Sequence, residues 1–353
     1  MNGPMDGRVT LRDIAKRTGY HYSTVSLAMR DDPRIQPETR ATIRRIAEEL
    51  NYRPDPMLAR LAAYRRRVPG LVDPLRIAYL INWPSHEQWR SEHCEVRFFA
   101  GAKKRAEELG YQLEEVWPRE LKLSGRRLGS ILLTRNYDGL LVSHTPKARG
   151  HLTLDWSKLC AVKIGHSLVY PRLACVENDQ YRIMQLAVRT LRRKGYRRIG
   201  LALRASQDEL LNHMFRACYL VETSRPRVFE PLPPLVTARW DEATFQKWYH
   251  RYRPEVVLSV HLKVLDWLRR MKLRVPEQVG FVDLDCADQS GARAGIYQHH
   301  EQVGALALET LEYLIQRNHR GIPAIPQLTI LEGTWIDGAT LRDHWVRKSS
   351  RSR

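Results

Sequence analysis

Gly19 separates two short stretches whose apolar residues recur at helical spacing, and this hairpin constrains the start of the chain more than any other feature. Leu11, Ile14, Ala15 and Thr18 fall on one face of a first helix over 11–18. Gly19 supplies a tight turn where a residue without Cβ is favoured. A second helix over 22–29 turns Val25, Ala28 and Met29 inward and keeps Tyr22, Ser23, Ser26 and Leu27 outside. A third begins at Pro37 and buries Ile43, Ile46, Ala47 and Leu50 against the first two. A second helix after such a turn is the geometry that enters a DNA major groove.

In one register this segment resembles the DNA-binding head of the lactose-repressor (LacI/GalR) regulators. The matching residues are Thr10 to Ala15, Gly19, Ser23 to Ser26, Arg40 and Leu50 to Pro54. The resemblance implies an all-α helix-turn-helix head over 8–53 that addresses double-stranded DNA. Tyr22, Ser23 and Leu27 are expected at base edges, and Thr24, Ser26, Arg30, Arg34 and Thr39 at phosphates. Leu27 stands where relatives often carry arginine, so bidentate reading of guanine is lost there and contact with a thymine methyl takes its place. His21 is expected either to touch phosphate or to cap the second helix.

Pro54 and Pro56 end the third helix and open a hinge and linker over 54–74. In the resembled family two such hinges fold side by side in the minor groove, and a leucine from each wedges a base step open. Leu61 is the matching residue, with Ala59 and Ala62 permitting close approach. Its other reading is a packing residue between linker and core.

From 75 onward short apolar runs alternate with amphipathic stretches. Strands are expected at 75–81, 111–116, 139–143, 160–164, 199–203, 256–260, 279–284 and 327–331. Helices are expected at 95–109, 121–134, 179–194, 207–222, 241–252, 262–271 and 301–318. The pattern predicts α/β lobes with parallel sheets covered on both faces. The same layout belongs to the family's two-lobed, Rossmann-like core of periplasmic-binding-protein type. The likeness covers residues 8–345 and is densest at the head. It implies a core over 75–345, with an N-lobe of 75–173 and 291–322, a C-lobe of 174–290 and 323–345, and a basic tail at 346–353.

Ligands of open α/β sheets bind at the carboxyl ends of the strands. That rule selects Trp83 and His86, His144, His261 and Asp285, with Asn178 and Asp179 near the crossover. Asp285 falls on the family's effector aspartate. Against the family pattern, Phe215 stands where an arginine often holds sugar hydroxyls, and Ser259 to His261 replaces a common Asn-Asp pair.

The net charge of +19 suggests a polyanionic partner, but residues 1–67 hold only 14 Lys+Arg against 8 Asp+Glu, so most of the surplus lies in the core. It is read as a solvated arginine-rich surface ahead of extra DNA affinity or an acidic effector. Five cysteines without a C-x-x-C pair point to a reducing cytoplasm rather than a disulfide frame or zinc site. No apolar leader and no run long enough for a membrane span is seen, so a cytoplasmic, nucleoid-associated location is expected. Phosphate loops, metal-spaced clusters and nucleophile elbows are not seen, so no enzyme and no cofactor are expected.

The reading is a homodimeric regulator, a repressor by family habit, that binds a palindromic operator and answers a sugar-like effector, a carbohydrate, in the cleft. The alternative is a ligand-independent architectural DNA-binding protein with a degenerate core. Leu61→Ala separates the two readings of the hinge. As a wedge it should weaken binding to the preferred site far more than to random duplex, measured by fluorescence anisotropy, because only the kinked site takes the wedge. Equal losses on both duplexes would make Leu61 a packing residue.

Overall fold

The computed structural model describes residues 9–29, 32, 34–50, 52, 75–119, 125–135, 137–225 and 227–343. Arg30, Leu61, the hinge and the tail lie outside them.

Helices Leu11–Thr18, Tyr22–Ala28 and Pro37–Glu49 build the head around Ile14, Val25, Ala28, Ile43 and Ala47. The first helix opens on a reciprocal cap. The Thr10 amide donates to Asp13 Oδ2 at 2.8 Å, and its hydroxyl donates to the same oxygen at 2.6 Å. The hydrogen bond from the Thr10 side chain, helped by the one from its amide, holds the Asp13 carboxyl below its ordinary range. The helix closes at Gly19, whose φ of 72° is left-handed and whose N–H donates to the Ala15 carbonyl at 2.9 Å. His21 caps the second helix by accepting from the Ser23 amide.

The core strands are β1 (Leu75–Leu80), β2 (Tyr111–Val116), β3 (Tyr137–Val142), β4 (Gly150–His151), β5 (Cys160–Ile164), β6 (Leu168–Tyr170) and β7 (Ala174–Asn178). They continue as β8 (Ile199–Arg204), β9 (Leu235–Thr237), β10 (Val256–Ser259), β11 (Gly280–Asp283), β12 (Ala294–Tyr297), β13 (Leu328–Leu331) and β14 (Thr334–Ile336). Two six-stranded sheets result, ordered β13-β7-β5-β3-β1-β2 and β14-β12-β11-β10-β8-β9, with β4 and β6 pairing apart. Pairing is parallel throughout both sheets except between β12 and β14. Central strands such as β5, β7, β10 and β11 are buried along their whole length, as helices on both faces require.

The sheets move the expected lobe boundaries. β7 and β13 belong to the first sheet and β12 to the second. The chain therefore crosses between lobes after Asn178, between Tyr297 and His300, and between Leu331 and Thr334, not at 173, 290 and 322. β7 is not announced by the sequence because only Ala174, Cys175 and Val176 are apolar before the polar Glu177 and Asn178. The helix expected over 207–222 is two helices, Ala205–Leu210 and Met214–Thr223. Asn212 and His213 break it at φ of 50° and 60°, and the His213 amide donates to the Asp208 carbonyl at 2.8 Å. No helix among the described residues is long and apolar enough to cross a membrane.

Helices His93–Leu109 and His300–Gln316 pack together on the first sheet at glycines. A Cβ on Gly304 would sit 1.9 Å from the Phe98 carbonyl oxygen, and one on Gly101 would sit 1.9 Å from that of Glu301. Both clashes are with backbone, so the helices would have to separate. Gly304→Ala should therefore destabilise the core by about 1–3 kcal/mol, despite a gain of about 1 kcal/mol in helix propensity. The urea midpoint would show it; an unchanged or raised midpoint would mean that the helices part freely.

Candidate functional site

Two surfaces carry the exposed chemistry that the sequence singled out. On the head, Tyr22 is about half exposed (49%) and Ser23 is exposed, while Thr24, Ser26 and Leu27 are half-buried. Capping by His21 and burial of Val25 and Ala28 fix the rotation of the second helix, so its first turn faces outward. Thr39 lies in the first turn of the third helix and is half-buried. Arg34 is exposed, but Asp32 already holds it: Nε donates to Oδ1 at 2.9 Å and Nη2 to Oδ2 at 2.8 Å. The Arg34 side-chain hydrogen bonds pull the Asp32 carboxyl down to about 2, so the pair stays charged at neutral pH. A phosphate at Arg34 would have to share the guanidinium with that carboxylate.

The second surface is a cleft between the lobes, at the carboxyl ends of both sheets. Trp83 follows β1, His144 follows β3, His166 follows β5 and Asn178 ends β7. From the other lobe Arg204 ends β8, Val260 follows β10 and Asp285 follows β11. Of the residues selected from the sequence, Trp83, His144, Asn178 and Asp285 line this cleft; His86, Asp179 and His261 do not. His86 stacks on Trp117 with ring centroids 3.6 Å apart. Asp179 caps the Gln180–Arg193 helix by accepting from the Arg182 amide at 2.9 Å. His261 packs against Trp240, and burial, with Arg204 and Lys263 nearby, pushes its imidazole down to about 4. Trp89, a second aromatic platform on sequence grounds, is buried among Phe99 and Trp117.

Histidine–carboxylate pairs give the cleft its electrostatics. His144 Nδ1 lies 2.7 Å from Glu95 Oε1, and His166 Nε2 lies 2.5 Å from Glu177 Oε1. Asp285 lies between His93 and His300, at 3.1 and 3.3 Å. Burial opposes charge on His144, but the charge and hydrogen bond of Glu95 outweigh it and lift the imidazole above its ordinary value. Burial would raise the Asp285 carboxyl, yet His300 and His93 hold it below its usual range. Burial, with the neighbouring Asp285 charge, pushes Asp283 up to about 6. Gly165, at φ 70°, lets the His144 ring approach the backbone closely, where a Cβ would meet its Nε2 at 1.9 Å.

His166 and Arg204 could have been found by the strand-end rule that found the others. Glu177, directly before Asn178, was within reach at the crossover, whereas Glu95 could not be found because a helix brings it in through a contact remote in sequence. Phe215 is fully buried in the second-lobe core and reaches the cleft wall. Arg216 instead turns to Asp208 at 3.2 Å.

A family described as bacterial regulatory proteins, lacI family, matches residues 10–55. The probable HTH-type transcriptional repressor ExuR of Bacillus subtilis (strain 168) is 38% identical over 63 residues, which is 18% of this chain and 19% of that protein. The chain spans about a fifth of the length of the curated relatives it matches. Among solved structures, the complex of transcriptional regulator CelR with cellobiose shares the fold with a TM-score of 0.57 at 20% identity, covering 94% of this chain and 100% of that one. The lac repressor dimer bound to operator and the anti-inducer ONPF gives 0.55 at 19% identity, covering 95% and 100%.

Two outcomes test this geometry. Glu95→Gln removes the attraction at His144 but leaves the burial, so the imidazole should titrate below about 6.5 in place of above it, read by NMR. The wild-type pair then adds stability that is full below the ordinary imidazole range and is lost as pH rises through the raised value. An unmoved His144 titration would discard Glu95 as its partner. Tyr22→Ala should change the preferred half-site in a duplex selection; a uniform loss over all sequences would make Tyr22 a backbone contact.

Proposed function

For a chain that carries a lacI-family head on a two-lobed core of the same fold as solved regulators, we propose a sequence-specific DNA-binding transcriptional regulator. It binds a palindromic site as a homodimer and is modulated by a small polar effector in the interlobe cleft. The observation that carries this reading is the pairing of two surfaces in one chain: the exposed first turn of the second head helix, and a cleft lined from both lobes. Two heads addressing two half-sites make dimerisation the geometric counterpart of a palindrome. Repression is the direction named for ExuR and the lac repressor.

The cleft offers what a sugar-like molecule needs. Trp83 presents an aromatic body, and Asn178, Arg204 and Asp285 bring polar groups from opposite walls. A molecule touching both walls favours one separation of the lobes, which shifts the spacing of the heads. Coupling of this kind is typically ~1–3 kcal/mol. Phe215 supports a second reading: with an apolar ring in place of a hydroxyl-binding arginine, the core would serve dimerisation alone and the protein would act as an architectural DNA binder.

Selection from a random duplex library at near-physiological salt decides between them, because screening suppresses nonspecific phosphate contacts. A recovered palindrome with a pyrimidine–purine step at its centre is the expected result. Recovery of no motif, with binding lost steadily as salt rises, would overturn sequence-specific regulation and leave the architectural reading.

A further inference from the structure

His93, Asp285 and His300 meet where the lobes join. His93 and His300 each open a helix of the first lobe, and Asp285 follows β11 of the second. His93 Nε2 lies 3.1 Å from Asp285 Oδ2, and His300 Nε2 lies 3.3 Å from Oδ1. One donor atom from each residue can be chosen so that all lie within 4.8 Å of one another.

Asp285 Oδ1 is buried and has no hydrogen-bond partner among the described residues, although His300 Nε2 is within reach. A nitrogen and an oxygen that close, without a shared proton in line, suit donors directed at a common third point. A metal ion with bonds of about 2.1 Å to nitrogen and oxygen spaces neighbouring donors roughly 3.0–3.4 Å apart. The two Asp285 contacts have that spacing. Two imidazoles and one carboxylate form a donor set suited to borderline divalent transition ions rather than to calcium or magnesium, which favour oxygen.

The surroundings fit a cation. Glu92 and Asp283 stand close enough for their charges to act on His93 or Asp285. Of the nearby guanidiniums, Arg97 pairs with Glu301 at 2.9 Å and Arg293 with Asp283 at 3.4 Å, while Arg204 lines the same cleft and acts on Glu92.

We propose that His93, Asp285 and His300 bind one divalent transition-metal ion that clamps the two lobes together. The ion ties the first lobe, through two histidines, to the one carboxylate offered by the second. It thereby favours the closed cleft that a small effector would also favour. The effect on DNA rests on the regulator reading; metal binding does not.

The test uses the full-length chain and Co²⁺, whose visible absorption reports imidazole and carboxylate ligation. One ion per chain is expected by equilibrium dialysis, with a visible band. His93→Ala and Asp285→Asn should each weaken binding by more than about a hundredfold, beyond what loss of an outer-shell partner costs. His86→Ala should bind as the wild type does, and circular dichroism would confirm that each variant is folded. No stoichiometric Co²⁺ on the wild type would overturn the site, as would binding unchanged in both ligand variants. Equal affinity of the metal-free and Co²⁺-loaded protein for its selected duplex would overturn the clamp while leaving the site. No duplex binding by either form would overturn the regulator reading alone.

Discussion

Three passages of chain between two sheets hold the core together, and the cleft exists because those passages are tied to one another. The Asn178 side chain donates to the Gln298 carbonyl, joining the first crossover to the second. The Asp179 amide donates to the Leu331 carbonyl at 2.7 Å, joining the first to the third. Gln298 then reaches into the second lobe, donating to the Leu284 carbonyl at 2.7 Å, directly before Asp285. Buried amide hydrogen bonds of this kind are expensive to leave unmade. They keep the three crossovers in register and confine relative motion of the lobes to a shared hinge. Asn178 both lines the cleft and ties the first crossover to the second.

The head was almost wholly legible in the sequence, and the core only in outline. Three short helices around Ile14, Val25 and Ile43 announce themselves by spacing, a glycine turn and a proline start, all local signals. Long helices such as His300–Gln316 are legible for the same reason. The strands that escaped notice have short apolar runs: Leu235–Thr237, Ala294–Tyr297 and Thr334–Ile336 have three or four residues each, and Ala174–Asn178 ends in the polar Glu177 and Asn178. Missing them moved the lobe boundaries, because membership of a sheet is a non-local property. In the cleft, strand ends led to Trp83, His144 and Asp285 and the crossover led to Asn178, all of which line it. Strand ends misled at His86, which opens the helix His86–Ser91 and stacks on Trp117, and at His261, which packs against Trp240.

Charge is distributed with a purpose that the net value hides. A chain of net charge +19 lines its cleft with Glu92, Glu95, Glu177 and Asp285, most of them facing histidines. His144, lifted above its ordinary value, and Arg204 set cationic groups against these carboxylates in the same cleft. A basic surplus of this size would raise affinity for a polyanion without specifying sequence.

The central claim is that occupancy of the cleft and grip on DNA are linked. Linkage is reciprocal for equilibrium binding, so it can be read from the ligand side. Isothermal titration of the full chain with a panel of sugars, sugar acids and amino sugars, in the presence and absence of the selected duplex, measures it directly. The account expects at least one ligand whose affinity changes by about 5–150-fold when the duplex is bound. A ligand that occupies the cleft with the same affinity in both states would contradict it.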